Sequence, residues 1–270
     1  MASSSPTTAA AQARPFPLHT GVAEVVSVQR ITPRMARIVL GGDAVAGFPD
    51  DQPGEILTLI WAADGHDAPV LPLPDGGWRF PPDAPEQHAR NYTIRHYDRE
   101  TPAVTIDVVL HGDHGTASRW ALNAAPGDTI GFAGPRTHFV PEADADYTLL
   151  AGDETALPAI AATLERLPAG HPAIAFVEVE DAAEEQDLPG VVWVHRDGMP
   201  AGCSTALLDA IKAYTLPSGT PKVWCAGESL VVRGLREHLR GERGFAIGPL
   251  QAIGYWKHRD TPDDVDSDES

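Results

Sequence analysis

The sequence predicts two domains of different class: an antiparallel β-barrel followed by an open parallel α/β sheet. Three observations carry this. The chain has 270 residues, more than one ordinary mixed domain uses and enough for two of about 100–150 residues each. Its first half is a series of short β-branched runs cut by proline and glycine, whereas its second half alternates strand-like and helix-like periods. Glycine and proline, at 25 each, favour a turn-rich β half over a helical bundle.

Taken in order, residues 1–18 lack a core-forming pattern and read as a flexible arm. The runs "GVAEVVSVQRIT", "RMARIVLGG", "EILTLIWAA", "RNYTIRHYD", "AVTIDVVLHG" and "DTIGFAGP" are six strand candidates separated by turn signals. "GTASRWALN" interrupts them as a short helix. After Pro141 the rhythm changes. "DYTLLAG", "AIAFVEVE", "VVWVHRD" and "KVWCAG" read as strands, and "ETALPAIAATLERLP", "STALLDAIKAY" and "ESLVVRGLREHL" as helices between and after them. That alternation implies a doubly wound parallel sheet. The expected division is an arm over 1–18, a barrel over 19–142, an α/β domain over 143–259 and a solvated acidic tail over 260–270.

Charge and cysteine usage exclude several functions. The formal net charge is −18, of which six acids lie in "DTPDDVDSDES", so the body carries about −12. A nucleic-acid partner needs a basic face, and this balance argues against one. Cys203 and Cys225 sit in no Cys/His cluster, which disfavours zinc or iron–sulfur. Two reduced thiols, no signal-peptide pattern at the start and no apolar run approaching ~20 residues predict a cytoplasmic protein without stable membrane association, taken to be a monomer.

Five stretches carry chemistry. "RNYTIR" places Arg90, Tyr92 and Thr93 within four residues: a guanidinium for pyrophosphate, an aromatic face for stacking and a hydroxyl for a ring nitrogen, as an isoalloxazine cofactor demands. An exposed strand with its tyrosine in the core accounts for the same residues. "HGDHGTASRWA" sets Gly112 and Gly115 between a strand and a helix opened by Thr116, Ala117 and Ser118, an arrangement that binds a phosphate or simply caps a helix. His111 and His114 have no third ligand near them, so no metal is expected. "LLAGDETALPAI" runs a buried strand into Gly152, Asp153, Glu154 and Thr155 at the crevice position of an open sheet, where Asp153 or Thr155 is a ligand contact or a cap. "WCAGES" ends another strand before Glu228 and Ser229. "GYWKHRD" packs Lys257, His258 and Arg259 beside Tyr255 and Trp256, either an exposed charged turn or a local positive spot in an acidic chain.

Together these motifs resemble the siderophore-interacting protein family, FAD-containing ferric-siderophore reductases related to ferredoxin–NADP reductases. The resemblance spans roughly residues 20–258. "RNYTIR" fits the family's R-x-Y-T-x-R, and "HGDHGTASRW" fits its H-G-x-x-G-x-A-S-x-W, with Thr116 where proline is usual. It implies an N-terminal FAD-binding barrel and a C-terminal NAD(P)H-binding-like sheet of the ferredoxin–NADP reductase type. It implies further that Arg90, Tyr92 and Thr93 hold FAD at pyrophosphate, ring face and ring edge, that Gly115, Thr116, Ala117 and Ser118 wrap the pyrophosphate, and that His111 also belongs to the cofactor site. Asp153, Thr155 and Ala156 would lie beside the cofactor, Glu228 near the nicotinamide approach, and Lys257 and Arg259 against the siderophore.

The activity implied is electron transfer from NAD(P)H or ferredoxin through FAD to a ferric siderophore, releasing Fe(II). No protein acid or base is required at the iron. Some members carry a longer C-terminal helix associated with NAD(P)H use, and here a short acidic tail follows Arg259, so the resemblance leaves the donor open. The rival expectation is a non-enzymatic siderophore carrier with a vestigial flavin site.

Overall fold

The computed structural model describes residues 19–48, 55–63, 65–73, 78–112, 115–136, 145–246 and 250–258. The first domain is one antiparallel sheet of β1 (Thr20–Thr32), β2 (Met35–Gly41), β3 (Ile56–Trp61), β4 (His88–Thr93), β5 (His96–Asp98), β6 (Ala103–Val109) and β7 (Thr129–Arg136). Their order is β4-β3-β7-β1-β2-β6-β5. The sheet curls until β4 approaches β6. The inward residues are those the alternating pattern marks: Ile38, Leu40, Leu57, Leu59, Val104, Ile106 and Phe132 are fully buried.

"RNYTIRHYD" gives two strands where the sequence reading has one. The backbone N–H of Ile94 still donates to the Glu55 carbonyl beside β3, but that of Arg95 donates to Thr105 on β6. The chain changes partners between these residues and makes a corner. Tyr92 on β4 and Ile94 at the corner both pack against the barrel core. Helix α1 (Thr116–Asn123) connects β6 to β7.

The second domain has β8 (Tyr147–Gly152), α2 (Leu157–Arg166), β9 (Ala173–Val179), β10 (Val191–His195), α3 (Ala206–Ala213), β11 (Pro221–Glu228), α4 (Ser229–Glu237) and β12 (Leu250–Trp256). The strands run parallel in the order β10-β9-β8-β11-β12. The direction of winding reverses between β8 and β11, which puts a crevice outside their carboxyl ends. Strand β12 corrects the expected charged turn: Tyr255 and Trp256 belong to a fifth parallel strand laid on β11. The expected domain junction at 142–143 falls outside the described residues, as do the arm, the acidic tail, His114 and Arg259.

The turn between β1 and β2 reaches the second domain. Thr32 Oγ1 donates to Glu184 (2.5 Å), Arg34 pairs with Glu180 (3.1 Å), and Met35 is buried among Leu150, Leu157 and Trp224. Arg95 adds a bidentate pair with Glu165 on α2. Burying a side chain such as Met35 contributes about 1.5–3 kcal/mol to this docking.

Candidate active site at the domain junction

A cavity of about 410 Å³ lies where the strand ends of the second domain face β4, β6 and α1. Arg90, Tyr92 and Thr93 reach it from β4, an edge strand hydrogen-bonded to β3 alone in the sheet order. His111 and Gly115–Ser118 reach it from the loop after β6 and the first turn of α1. Thr155 and Pro158 come from the start of α2, and Tyr255 and Trp256 from the end of β12. The sheet and helix contacts thus bring together sequence motifs some 165 residues apart in number, as flanking walls of one space.

The local geometry suits an anion. Gly115 has φ 86° and ψ 149°, a backbone region essentially confined to glycine. A Cβ there would meet only His111, at 3.9 Å, so the position opens onto the cavity. No side chain among the described residues caps α1, which leaves its first-turn N–H groups directed outward. Ser118 is turned the other way. Its hydroxyl donates to the Gly112 carbonyl (2.7 Å) and accepts from His111 N–H (3.3 Å), so the side chain staples the loop while its backbone lines the site. The exposed Arg90 guanidinium, with five donors, donates to the Ala89 carbonyl at 2.7 Å.

The aromatic part of the lining suits a flat ring. Tyr92 is mostly buried against the barrel core, and burial pushes its phenol up to about 12. Tyr255 is likewise pushed up to about 12 by burial, and shares a hydrogen bond with Thr93 across the domains. The Thr93 hydroxyl is thus already engaged. Asp107, also in the wall, is paired twice with Arg37 (2.7 Å each).

Other expected site residues stand behind this wall. Asp153 is buried beneath Thr155 and Trp256, and Ala156 is fully buried at the start of α2; neither lines the cavity. Glu228 is 1 % exposed. Its Oε2 accepts from Leu230 and Val231 N–H and its Oε1 from His258 N–H, so it caps α4 and holds the chain after β12. Lys257 is half-buried just beyond β12 and outside the cavity lining.

A second, wider cavity of about 620 Å³ adjoins the first and shares Arg90 and Asn91 with it. Its walls include Trp78 and Phe80, edge to face at 5.1 Å, and Arg136 at the end of β7. Arg136 Nη2 donates to Thr58 Oγ1 (2.7 Å) and Asn91 Oδ1 (2.9 Å), while its Nε is buried with no partner among the described residues. Sequence reasoning passed over Asn91, Arg136 and Trp78. The usable signal was Arg136 directly after "GFAGP", a cation at a strand end in an acidic chain.

A curled antiparallel sheet joined to a five-stranded parallel sheet among the described residues, with a cavity between them, is the two-domain fold of the ferredoxin–NADP reductase type. Comparison with known proteins narrows this. The siderophore-interacting FAD-binding domain matches residues 24–139 and the siderophore-interacting protein domain residues 145–259. The chain belongs to the siderophore-interacting protein family. Its structure is similar to that of a siderophore utilization protein from T. fusca, with TM-score 0.83 and 39% identity over 93% of this chain and 97% of that one. It is 30% identical to the ferric vibriobactin reductase ViuB of Vibrio cholerae, covering 87% of this chain and 88% of that protein. It is 31% identical to the NADPH-dependent ferric-chelate reductase of Escherichia coli K12, covering 86% and 91%.

Proposed function

We propose that this protein is an FAD-dependent ferric-siderophore reductase that takes electrons from NAD(P)H or ferredoxin. The observation that carries the reading is the junction cavity, whose lining brings together the Arg90 guanidinium, the start of α1, two tyrosines and a tryptophan. Bound there, FAD would supply the conversion between a two-electron donor and one-electron reduction of Fe(III). Arg90 and the N–H groups of the first turn of α1 would hold its pyrophosphate, and Gly115 keeps that approach clear of a side chain. Tyr92 offers a face for the ring. Thr155, Pro158, Tyr255 and Trp256 close the cavity from the second domain and exclude water.

The ferric chelate is the substrate. Many such chelates are anionic, and an acidic body repels them unless positive charge is local. Arg90 and Arg136 along the wider cavity supply it, and Lys257 with Arg259 would extend it at the end of the second domain. A hydride carries two electrons and each Fe(III) takes one, so one NAD(P)H serves two chelates. Fe(II) binds hard oxygen ligands less tightly, and the iron is released. Among the described residues no helix is long and apolar enough to cross a membrane, and both cysteines are free; we assign the protein to the cytoplasm, where thiols stay reduced.

The test is anaerobic turnover with a ferrous trap. NADH, NADPH or reduced ferredoxin should bleach the flavin absorption, and a ferric siderophore should restore it with two Fe(II) trapped per fully reduced flavin. A protein that binds the ferric chelate tightly while remaining colourless after FAD addition would instead be a carrier.

A further inference from the structure

Three strand ends of the second domain are tied to one buried carboxylate. Asp153 follows β8 and is 7 % exposed. Its Oδ1 accepts from the Thr155 N–H (2.9 Å) and hydroxyl (2.5 Å). Its Oδ2 accepts from the Glu228 N–H at the end of β11 (3.0 Å) and from Trp256 Nε1 at the end of β12 (2.8 Å). Burial pushes the Asp153 carboxyl up, and the hydrogen bonds from Thr155 and Trp256 oppose that rise.

One glycine makes room for this carboxylate, and a second lets strand β11 and the start of α2 close around the end of β8. Gly227 has φ +147°, and a Cβ there would lie 2.7 Å from Asp153 Oδ2. A Cβ on Gly152 would lie 2.4 Å from both the Ala226 carbonyl oxygen and Ala156 Cβ. The motifs "GDETA" and "CAGE" are therefore two halves of one socket. The other bonds at this edge converge on the same strand end: Ser229 Oγ donates to the Trp256 carbonyl (3.1 Å), and His258 N–H donates to Glu228 (3.1 Å). Gly202 lies beneath the indole, where a Cβ would come within 3.0 Å of its outer edge. Trp256 itself lines the junction cavity, and Asp153 does not.

We propose that Asp153 is a positioning residue, which fixes the orientation of the Trp256 indole in the wall of the cofactor cavity and acts on the cofactor through it. This rests on the cavity's being the FAD site. Its consequence is that Asp153 and the glycine that makes room for it, Gly227, serve the cofactor from outside the cavity lining. An indole held against a flavin quenches flavin fluorescence by electron transfer, so its orientation can be read optically.

The experiment compares FAD-loaded wild type, Asp153→Asn, Trp256→Phe and the double variant by visible circular dichroism, bound-flavin fluorescence and thermal unfolding. Asparagine keeps the volume but turns a donor toward one pair of donors. Phenylalanine keeps an aromatic ring but has no N–H to anchor. Each single variant should raise bound-flavin fluorescence severalfold and change the visible dichroism. The double variant should match Trp256→Phe alone, because the two residues act as one unit. A lower melting temperature in Asp153→Asn with wild-type flavin spectra overturns the proposal, and so do additive effects in the double variant. If Asp153→Asn does not fold, Trp256→Phe decides: unchanged spectra of its bound flavin overturn the proposal equally. A wild type that takes up no FAD overturns the functional reading as well, an outcome distinct from a loaded wild type whose variants look like it.

Discussion

The two walls of the junction cavity handle polar groups in opposite ways. On the barrel side, Asp107 and Ser118 are bonded within the wall, but two groups keep donors directed outward: Arg90 bonds its neighbour's carbonyl, and α1 begins without a side-chain cap among the described residues. On the sheet side, polar groups are consumed internally. Asp153 accepts four donors, and Glu228 caps α4 and holds His258. Arg196, at the end of β10, is enclosed by Glu154, Glu178 and Glu180. Short polar residues in glycine-containing strand–helix turns look alike in sequence. One set is arranged to meet a ligand and the other to hold the wall that the ligand meets.

The comparison breaks most visibly at Arg196, where the sheet side should lose stability. Arg196 is 4 % exposed and bonds Glu154 with both terminal nitrogens. Arg196→Leu strands Glu154 and Glu178 as buried charges, a loss of about 3–5 kcal/mol. Urea unfolding should show it as a lower midpoint with unchanged slope. Burial already raises Glu178 above the usual carboxylate range, and Arg196 opposes that rise.

Next in size is the barrel side. Arg90→Ala should cost about 1.5–3 kcal/mol of FAD binding, roughly tenfold or more in Kd, with little change in melting temperature of the apoprotein. Gly115→Ala forces a side chain into a glycine-only conformation at about 1–3 kcal/mol, and should weaken FAD as well as lower stability. Calorimetric titration with FAD measures both.

Glu228→Ala sharpens the contrast. The sequence resemblance puts this residue at the nicotinamide approach, but its carboxylate faces inward. Loss of the cap should cost about 1 kcal/mol of stability, and the affinity for FAD should stay unchanged. Smaller still is the effect of surface charge on substrate. Arg136→Ala and the pair Lys257→Ala/Arg259→Ala should each raise KM for an anionic ferric chelate more than for a neutral one, and flatten its salt dependence. Steady-state rates at two ionic strengths check this, with Arg136 expected to matter more because its guanidinium is fixed by Thr58 and Asn91.

Much of this was legible from residue order. Period-two runs marked the barrel strands, and strand–helix alternation marked the parallel sheet. "RNYTIR" and "HGDHGTASRW" led to residues that share one cavity, because each motif is local and its chemistry is explicit. Three features were not legible, each for a physical reason. The corner at Ile94–Arg95 depends on a change of hydrogen-bond partner, which period-two patterning does not encode. Strand β12 was hidden because "LQAIGYW" includes Gly254 and flanks a charged run, and among the described residues it pairs with β11 alone. The internal role of Asp153 depends on Gly227 and Trp256, which lie 74 and 103 residues away.

The most direct measurement is FAD affinity in three proteins side by side: wild type, Arg90→Ala and Asp153→Asn, each titrated as apoprotein. The account predicts one FAD per chain in wild type, a Kd raised roughly tenfold or more in Arg90→Ala, and a Kd near wild type in Asp153→Asn with altered flavin spectra. Equal weakening in both variants, or wild-type affinity in Arg90→Ala, would contradict the division between a wall that binds and a wall that is held.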